Sequence, residues 1–206
     1  MRYTSIIFDL GAVLIDWNPR LLYRKIFDTE TEIDHFLSHV ATSDWNEMQD
    51  AGRSLAEGTE QLVKMHPQHE TPIRAYYGRW REMLAGPIGE TVELFHQLKQ
   101  QPGLHCYALT NWSAETFPIA LENYPFLQWF DGIVVSGQEG MRKPTPAFYE
   151  LLLERYHIDR HHTLFIDDNA RNVAAAEALG IESVVFTNAA ALAEVLYEKG
   201  ILPRPQ

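Results

Sequence analysis

Apolar and polar positions follow two different rhythms along this chain. Over residues 3–9 a short apolar run, Ser5-Ile6-Ile7-Phe8, ends on Asp9, with Gly11 two positions later. That pattern reads as a buried strand stopped by a turn. From 19 to 84 the spacing is helical: Leu21, Leu22, Ile26 and Phe27 share one face, and Ile33, Phe36, Leu37 and Val40 repeat at the same period. Asn18-Pro19 supplies a cap and a first-turn proline, and Ser43-Asp44-Trp45 opens a further helix. No strand is expected between 19 and 84, and Gly86-Pro87 with Gly89 closes the region.

Past residue 88 short apolar runs alternate with helical patterns. Strands are expected at 105–110, 132–136, 163–167 and 183–186. Between and after them lie helices at 92–98, at 113–121 capped by Ser113, at one opened by Thr145-Pro146, at 169–179 stopped by Gly180, and in an alanine-rich final segment. Such alternation predicts a parallel sheet covered on both faces. Right-handed crossovers place every strand's carboxyl end on one edge. The expected fold is therefore α/β, a Rossmann-like doubly wound parallel sheet built from 1–17 and 88–206, with a small α-helical cap inserted at 18–87.

Charge narrows the function classes. Asp and Glu number 28 against 17 Lys and Arg, a net −11. Nucleic acid and anionic membrane surfaces are poor partners for such a chain, because backbone affinity needs clustered basic residues. An anionic substrate would need a local correction, a metal ion or a focused lysine. The single Cys106 lies in an apolar run, so no disulfide forms within the chain. It reads as a packing residue in a reducing compartment. No apolar run approaches the ~18 residues that span a bilayer. Met1 leads almost directly into the first strand, which leaves no room for a signal peptide, so a cytoplasmic location is expected.

The strand ends carry the candidate chemistry. Asp9, Asp167 and Asp168 converge on one edge. Like charges ~4 Å apart repel by roughly 4 kcal/mol at an effective dielectric of about 20, so protons or a cation must sit among them. A hard oxygen site of this kind suits Mg²⁺. Thr110-Asn111 ends another strand ahead of a helix, where a hydroxyl and backbone N–H groups can hold phosphate oxygens. Lys143 sits in the loop Gly140-Met141-Arg142-Lys143-Pro144 and can neutralise both a nucleophile and a transferring phosphoryl group. Each feature alone has an ordinary explanation as a turn, a cap or a solvated loop lysine.

Together and in order, Phe8-Asp9-Leu10-Gly11, Leu109-Thr110-Asn111, Arg142-Lys143-Pro144 and Phe165-Ile166-Asp167-Asp168-Asn169 resemble the motifs of the haloacid dehalogenase-like hydrolase superfamily. The helical insertion resembles that family's small cap, and the Asp-Leu-Gly and Met-Arg-Lys-Pro forms look most like bacterial phosphatases of small phosphomonoesters, including sugar phosphates. The resemblance implies that Asp9 attacks phosphorus and forms an aspartyl-phosphate. It implies Mg²⁺ held by Asp9, the Gly11 carbonyl and Asp168, with Asp167 direct or through water. Thr110, Asn111 and Lys143 would hold the phosphoryl group, and Asn169 and Asn172 would support the metal loop. The implied partner is a small-molecule phosphoester, with monomer and homodimer both open.

One position departs from the pattern. Most phosphatases of the superfamily carry a second Asp two residues after the nucleophile as general acid and base, and here that residue is Gly11. Asp16 is the nearby candidate to replace it. A 2-haloacid dehalogenase and a non-catalytic binding module on the same fold are the competing readings. His35 and His39 have metal-compatible spacing but no evident third ligand. Trp17, Trp45, Trp80 and Trp112 read as packing residues, with Trp112 the one to watch because it follows the Thr110-Asn111 loop. Arg20, Arg24, Trp45 and Gln49 are candidates to face the substrate from the cap.

Overall fold

The computed structural model describes residues 3–205; Met1 and Gln206 lie outside the described residues. Strand β1 (Ser5–Phe8) is the centre of a five-stranded parallel sheet. The others are β4 (His105–Thr110), β5 (Gly132–Val135), β6 (Thr163–Asp167) and β7 (Glu182–Val185), in the order β5-β4-β1-β6-β7. Side chains alternate between two apolar layers, as a pleat requires. Ile6, Phe8, Cys106, Ala108, Leu164 and Ile166 face one core, while Ile7, Tyr107, Leu109 and Phe165 face the other with Phe148 and Leu152. The crossover helices are α6 (Gly89–Lys99), α7 (Phe117–Asn123), α9 (Pro146–Arg155) and α10 (Ala170–Ala178), and α11 (Ala189–Glu198) follows β7. A short α8 (Ser136–Glu139) follows β5 directly.

Between the first two sheet strands the chain is mostly helical, as its periodicity predicts. The helices are α1 (Arg20–Tyr23), α2 (Glu30–His39), α3 (Ser43–Asp50), α4 (Leu55–Met65) and α5 (Glu70–Gly78). Thr29 closes a capping box with Glu32, and Thr42 and Ser54 cap α3 and α4 through their hydroxyls. Two short strands, however, flank this stretch. β2 (Ile15–Trp17) pairs antiparallel with β3 (Leu84–Pro87). β2 precedes the 19–84 stretch and β3 begins on its last residue, Leu84, so the expected absence of strands holds through Met83, while β3 falls inside 18–87. Neither segment carries a strand signal of its own, because the ribbon exists only through pairing across the whole helical stretch. The helix expected from Ser113 starts later, at Phe117; residues 113–116 form a turn in which Ser113 Oγ accepts the Glu115 N–H.

Candidate active site

Parallel register brings the strand-end residues into one row. Phe8 pairs with Ala108 on one side and Ile166 on the other, so Asp9 and Asp167 emerge side by side one residue later. The Asp9 N–H donates to the Ile166 carbonyl at 2.8 Å. Beyond Asp9 the chain turns tightly: the Leu10 carbonyl accepts N–H groups from Val13, Leu14 and Ile15, and the Ile15 carbonyl accepts the Ala12 N–H. Ala12 is held at φ 57°, a conformation disfavoured for a residue with a Cβ. The Gly11 carbonyl accepts none of these backbone bonds among the described residues.

Lys143 reaches this row from the loop after α8. Its side chain is fully buried, with Nζ 3.0 Å from an Asp9 oxygen and 2.6 Å from Asp167. Asn111 fixes the lysine's backbone at both ends: its Nδ2 donates to the Lys143 carbonyl at 3.0 Å and its Oδ1 accepts the Lys143 N–H at 2.8 Å. Asp167 also accepts the Asn169 N–H and both of its oxygens accept Asn172 Nδ2. Asn169 caps α10 through its side chain. Ligand oxygens of Asp9, Asp167 and Asp168 all lie within 4.8 Å of one another. Asp9 and Asp167 are buried and Asp168 is exposed.

Burial pushes the Asp9 carboxyl upward; Lys143 pulls it back, and Asp167 and Asp168 add to the rise. Burial also disfavours charge on Lys143, but the two carboxylates outweigh it and hold the ammonium above its ordinary value. Asp168 is raised by desolvation and by Asp167. Three clustered carboxylates thus face one cation. An all-oxygen donor set with excess negative charge and a spare Gly11 carbonyl fits a hard divalent ion. The Thr110 hydroxyl is buried without a hydrogen-bond partner among the described residues, a donor available to an incoming oxygen.

The row opens into a cleft of about 430 Å³ lined by Asp9, Asp168 and Asn172 on one side and by Arg20, Asn46, Glu47 and Asp50 on the other. Asp50, at the end of α3, accepts Asn46 Nδ2 at 3.0 Å. Burial pushes its carboxyl up to about 7 against the pull of Arg142; Glu47 and Asp9 add to the rise. Glu47 ties α3 to the loop of Lys143 through Arg142 at 2.7 Å.

The structure thus brings Asp9, Asp167, Asp168, Lys143 and Asn172 together as expected, and sets Thr110 and Asn111 at the end of β4. The Asn111 amide bonds the Lys143 backbone and so orients the lysine, and Asn111 also lines the cleft where its side chain was expected to meet the phosphoryl group. Asp16 is exposed on β2 and does not line the cleft; it acts electrostatically on Tyr124. Of the four cap candidates only Arg20 lines the cleft. Arg24 pairs with Glu30, Trp45 is packed with Nε1 on the Gly58 carbonyl, and Gln49 is buried against Trp45 and Tyr77. The His35 and His39 rings stack at 4.6 Å, with no third ligand among the described residues. Asp50 was not singled out from the sequence. Its only local signal is its position at the end of a capped helix ahead of Gly52.

Comparison with known proteins agrees with this geometry. The haloacid dehalogenase-like hydrolase profile matches residues 3–180. A sesquiterpene phosphatase of Aspergillus oryzae is 30% identical over 92% of this chain and 92% of its own length. A D-ribitol-5-phosphate phosphatase of Bacteroides thetaiotaomicron is 23% identical over 90% of this chain and 93% of its own. A HAD family enzyme from Bacteroides thetaiotaomicron, crystallised with magnesium and inorganic phosphate, superposes with a TM-score of 0.66 at 23% identity, covering 90% of this chain and 95% of that one. With the profile spanning every motif from Asp9 to Asp168, the chain belongs to the haloacid dehalogenase-like hydrolase family.

Proposed function

We propose that the protein is a Mg²⁺-dependent phosphatase of small phosphomonoesters that works through an aspartyl-phosphate on Asp9. The observation that carries this reading is the buried Lys143 held between Asp9 and Asp167, with Asp168 completing an oxygen-rich cluster at the same edge. Both relatives named above are phosphatases, and they act on different alcohols, which supports the shared chemistry and leaves the alcohol open.

Asp9, Asp168 and the Gly11 carbonyl would hold Mg²⁺, with Asp167 beside them. The ion would supply charge to the phosphoryl oxygens and draw the phosphate toward the buried carboxylates. Lys143 keeps Asp9 oriented and balances charge as the phosphoryl group arrives. The Thr110 hydroxyl donates to one of its oxygens. Asp9 Oδ forms a bond to phosphorus as the ester P–O bond breaks. The leaving oxygen takes a proton from Asp50, whose elevated carboxyl lines the same cleft as Asp9. A water then attacks the aspartyl-phosphate, its proton passes to Asp50, and phosphate leaves with Asp9 restored. Asp50 thereby fills the role vacated at Gly11, where a Cβ would meet nothing within 4 Å.

The test is phosphate release from an aryl phosphate with Mg²⁺, with EDTA, and from Asp9→Asn. Turnover that requires both Mg²⁺ and Asp9 is expected. Turnover unaffected by EDTA, or halide release from 2-haloacids in place of phosphate release, overturns the reading.

A further inference from the structure

Beside the catalytic cleft lies a second, smaller cavity of about 80 Å³. Gly11, Asp50 and Asn111 form its inner end, and Trp17, Tyr77, Trp80 and Trp112 its walls. Trp17, Asn46, Asp50 and Asn111 line both spaces, so the chamber opens on the cleft where Asp9 stands. We propose that this aromatic chamber seats the leaving group of the substrate, so that the enzyme prefers phosphomonoesters of apolar alcohols over those of polyols. The proposal rests on the phosphatase reading and narrows it to a substrate class.

Several of the chamber's hydrogen-bonding groups are engaged within the protein. Trp112 Nε1 donates to Thr116 Oγ1 at 3.1 Å, and the Ser113 hydroxyl accepts the Glu115 N–H. Tyr77 donates to Asn46 Oδ1 at 2.9 Å and accepts Gln49 Nε2 at 2.9 Å, while Asn46 Nδ2 donates to Asp50. The Asn111 amide bonds the Lys143 backbone through both Nδ2 and Oδ1. What these groups present to the space is ring surface, and the Trp80 and Trp112 rings meet edge to face at 5.6 Å. A hydroxyl seated against these rings gives up water and finds few partners in return, whereas a hydrocarbon gains by leaving water. Aromatic walls add dispersion contacts that suit branched or unsaturated carbon. Even in the larger cleft, Arg20 is engaged by Glu30 and Asp34, and Glu47 by Arg142. The chamber therefore discriminates through desolvation, next to the carboxylate that donates the proton.

The experiment compares kcat/KM, with Mg²⁺ present, for 3-methylbutyl phosphate and ribitol 5-phosphate, which carry equal numbers of carbons. A preference of at least about tenfold for the apolar ester is expected, the scale that one or two methylene contacts supply in a hydrophobic pocket. Trp17→Ala and Trp80→Leu should shrink that ratio mainly through KM for the apolar ester. Trp17 is only half-buried, so its variant keeps the test open if Trp80→Leu fails to fold. A second readout needs no turnover: phenylphosphonate should change the tryptophan fluorescence of the Mg²⁺-loaded protein, and methylphosphonate should not. Equal or better turnover of the polyol ester overturns the proposal while the phosphatase reading stands. No phosphate release from any ester by folded, Mg²⁺-loaded protein overturns both.

Discussion

Lys143 Nζ lies 3.0 Å from the Asp9 carboxylate, with the lysine fully buried and Asp9 at the floor of the cleft. A buried cation that compensates two buried carboxylates is costly to remove, because its loss leaves uncompensated charge. Lys143→Met should therefore lower the stability of the metal-free protein by about 3–5 kcal/mol. Asp9→Asn removes a carboxylate that burial already disfavours, and should be neutral or stabilising. Urea unfolding of the two variants in EDTA reads both effects, and both should abolish turnover.

Excess negative charge at Asp9, Asp167 and Asp168 makes metal binding a stability term. Mg²⁺ at about a hundred times its Kd should stabilise the fold by about 2.7 kcal/mol. Asp168→Asn should remove most of that gain while leaving the metal-free protein little changed, since Asp168 is exposed. Calorimetric melting with and without Mg²⁺ measures both quantities.

The proposed role of Asp50 predicts a pH dependence. As a proton donor it is competent while protonated, so the rate for alkyl phosphates should fall as pH rises through about 7. Asp50→Asn should be slower by roughly 10²–10⁴-fold on those esters and flat across that window; with 4-nitrophenyl phosphate the first-turnover release of nitrophenolate should persist, because that leaving group needs no proton, while hydrolysis of the aspartyl-phosphate slows. Arg142, Glu47 and Asp9 are the charged groups acting on Asp50, so Arg142→Met should move the fall to higher pH. The linkage runs the same way for stability. A carboxyl raised on folding contributes below the unfolded range and loses that contribution as pH climbs to about 7, so wild type should weaken relative to Asp50→Asn across that interval.

A control lies far from the chemistry. His157 sits at φ 54° just past α9, where its N–H and that of Ile158 return to the Glu154 and Leu153 carbonyls. That closure favours glycine. His157→Gly should raise stability by about 1 kcal/mol by removing the left-handed penalty, with turnover unchanged. Chemical denaturation checks it.

What the sequence determined by itself is the scaffold and the row of carboxylates at its strand ends. Ile6, Phe8, Leu164 and Ile166 announce strands because residues adjacent in the chain alternate between two buried layers, and that period is written locally. Once β1 and β6 are parallel neighbours, Asp9 and Asp167 must emerge together, since register leaves them no other place. Gly180 ends α10 at φ 80° for an equally local reason. Tertiary structure alone decided the rest. β2 and β3 are strands only because Ile15–Trp17 meets Leu84–Pro87. Asn111 also bonds the Lys143 backbone, which no spacing could foretell. Asp50 reaches the cleft because Ser136 Oγ binds its carbonyl and Glu47 pairs with Arg142. Trp17, Trp80 and Trp112 wall one chamber although each reads, alone, as a packing residue. Patterns along a chain record which way a side chain faces; which distant side chains it then meets is set by how the helices dock, and there the chemistry of this site was completed.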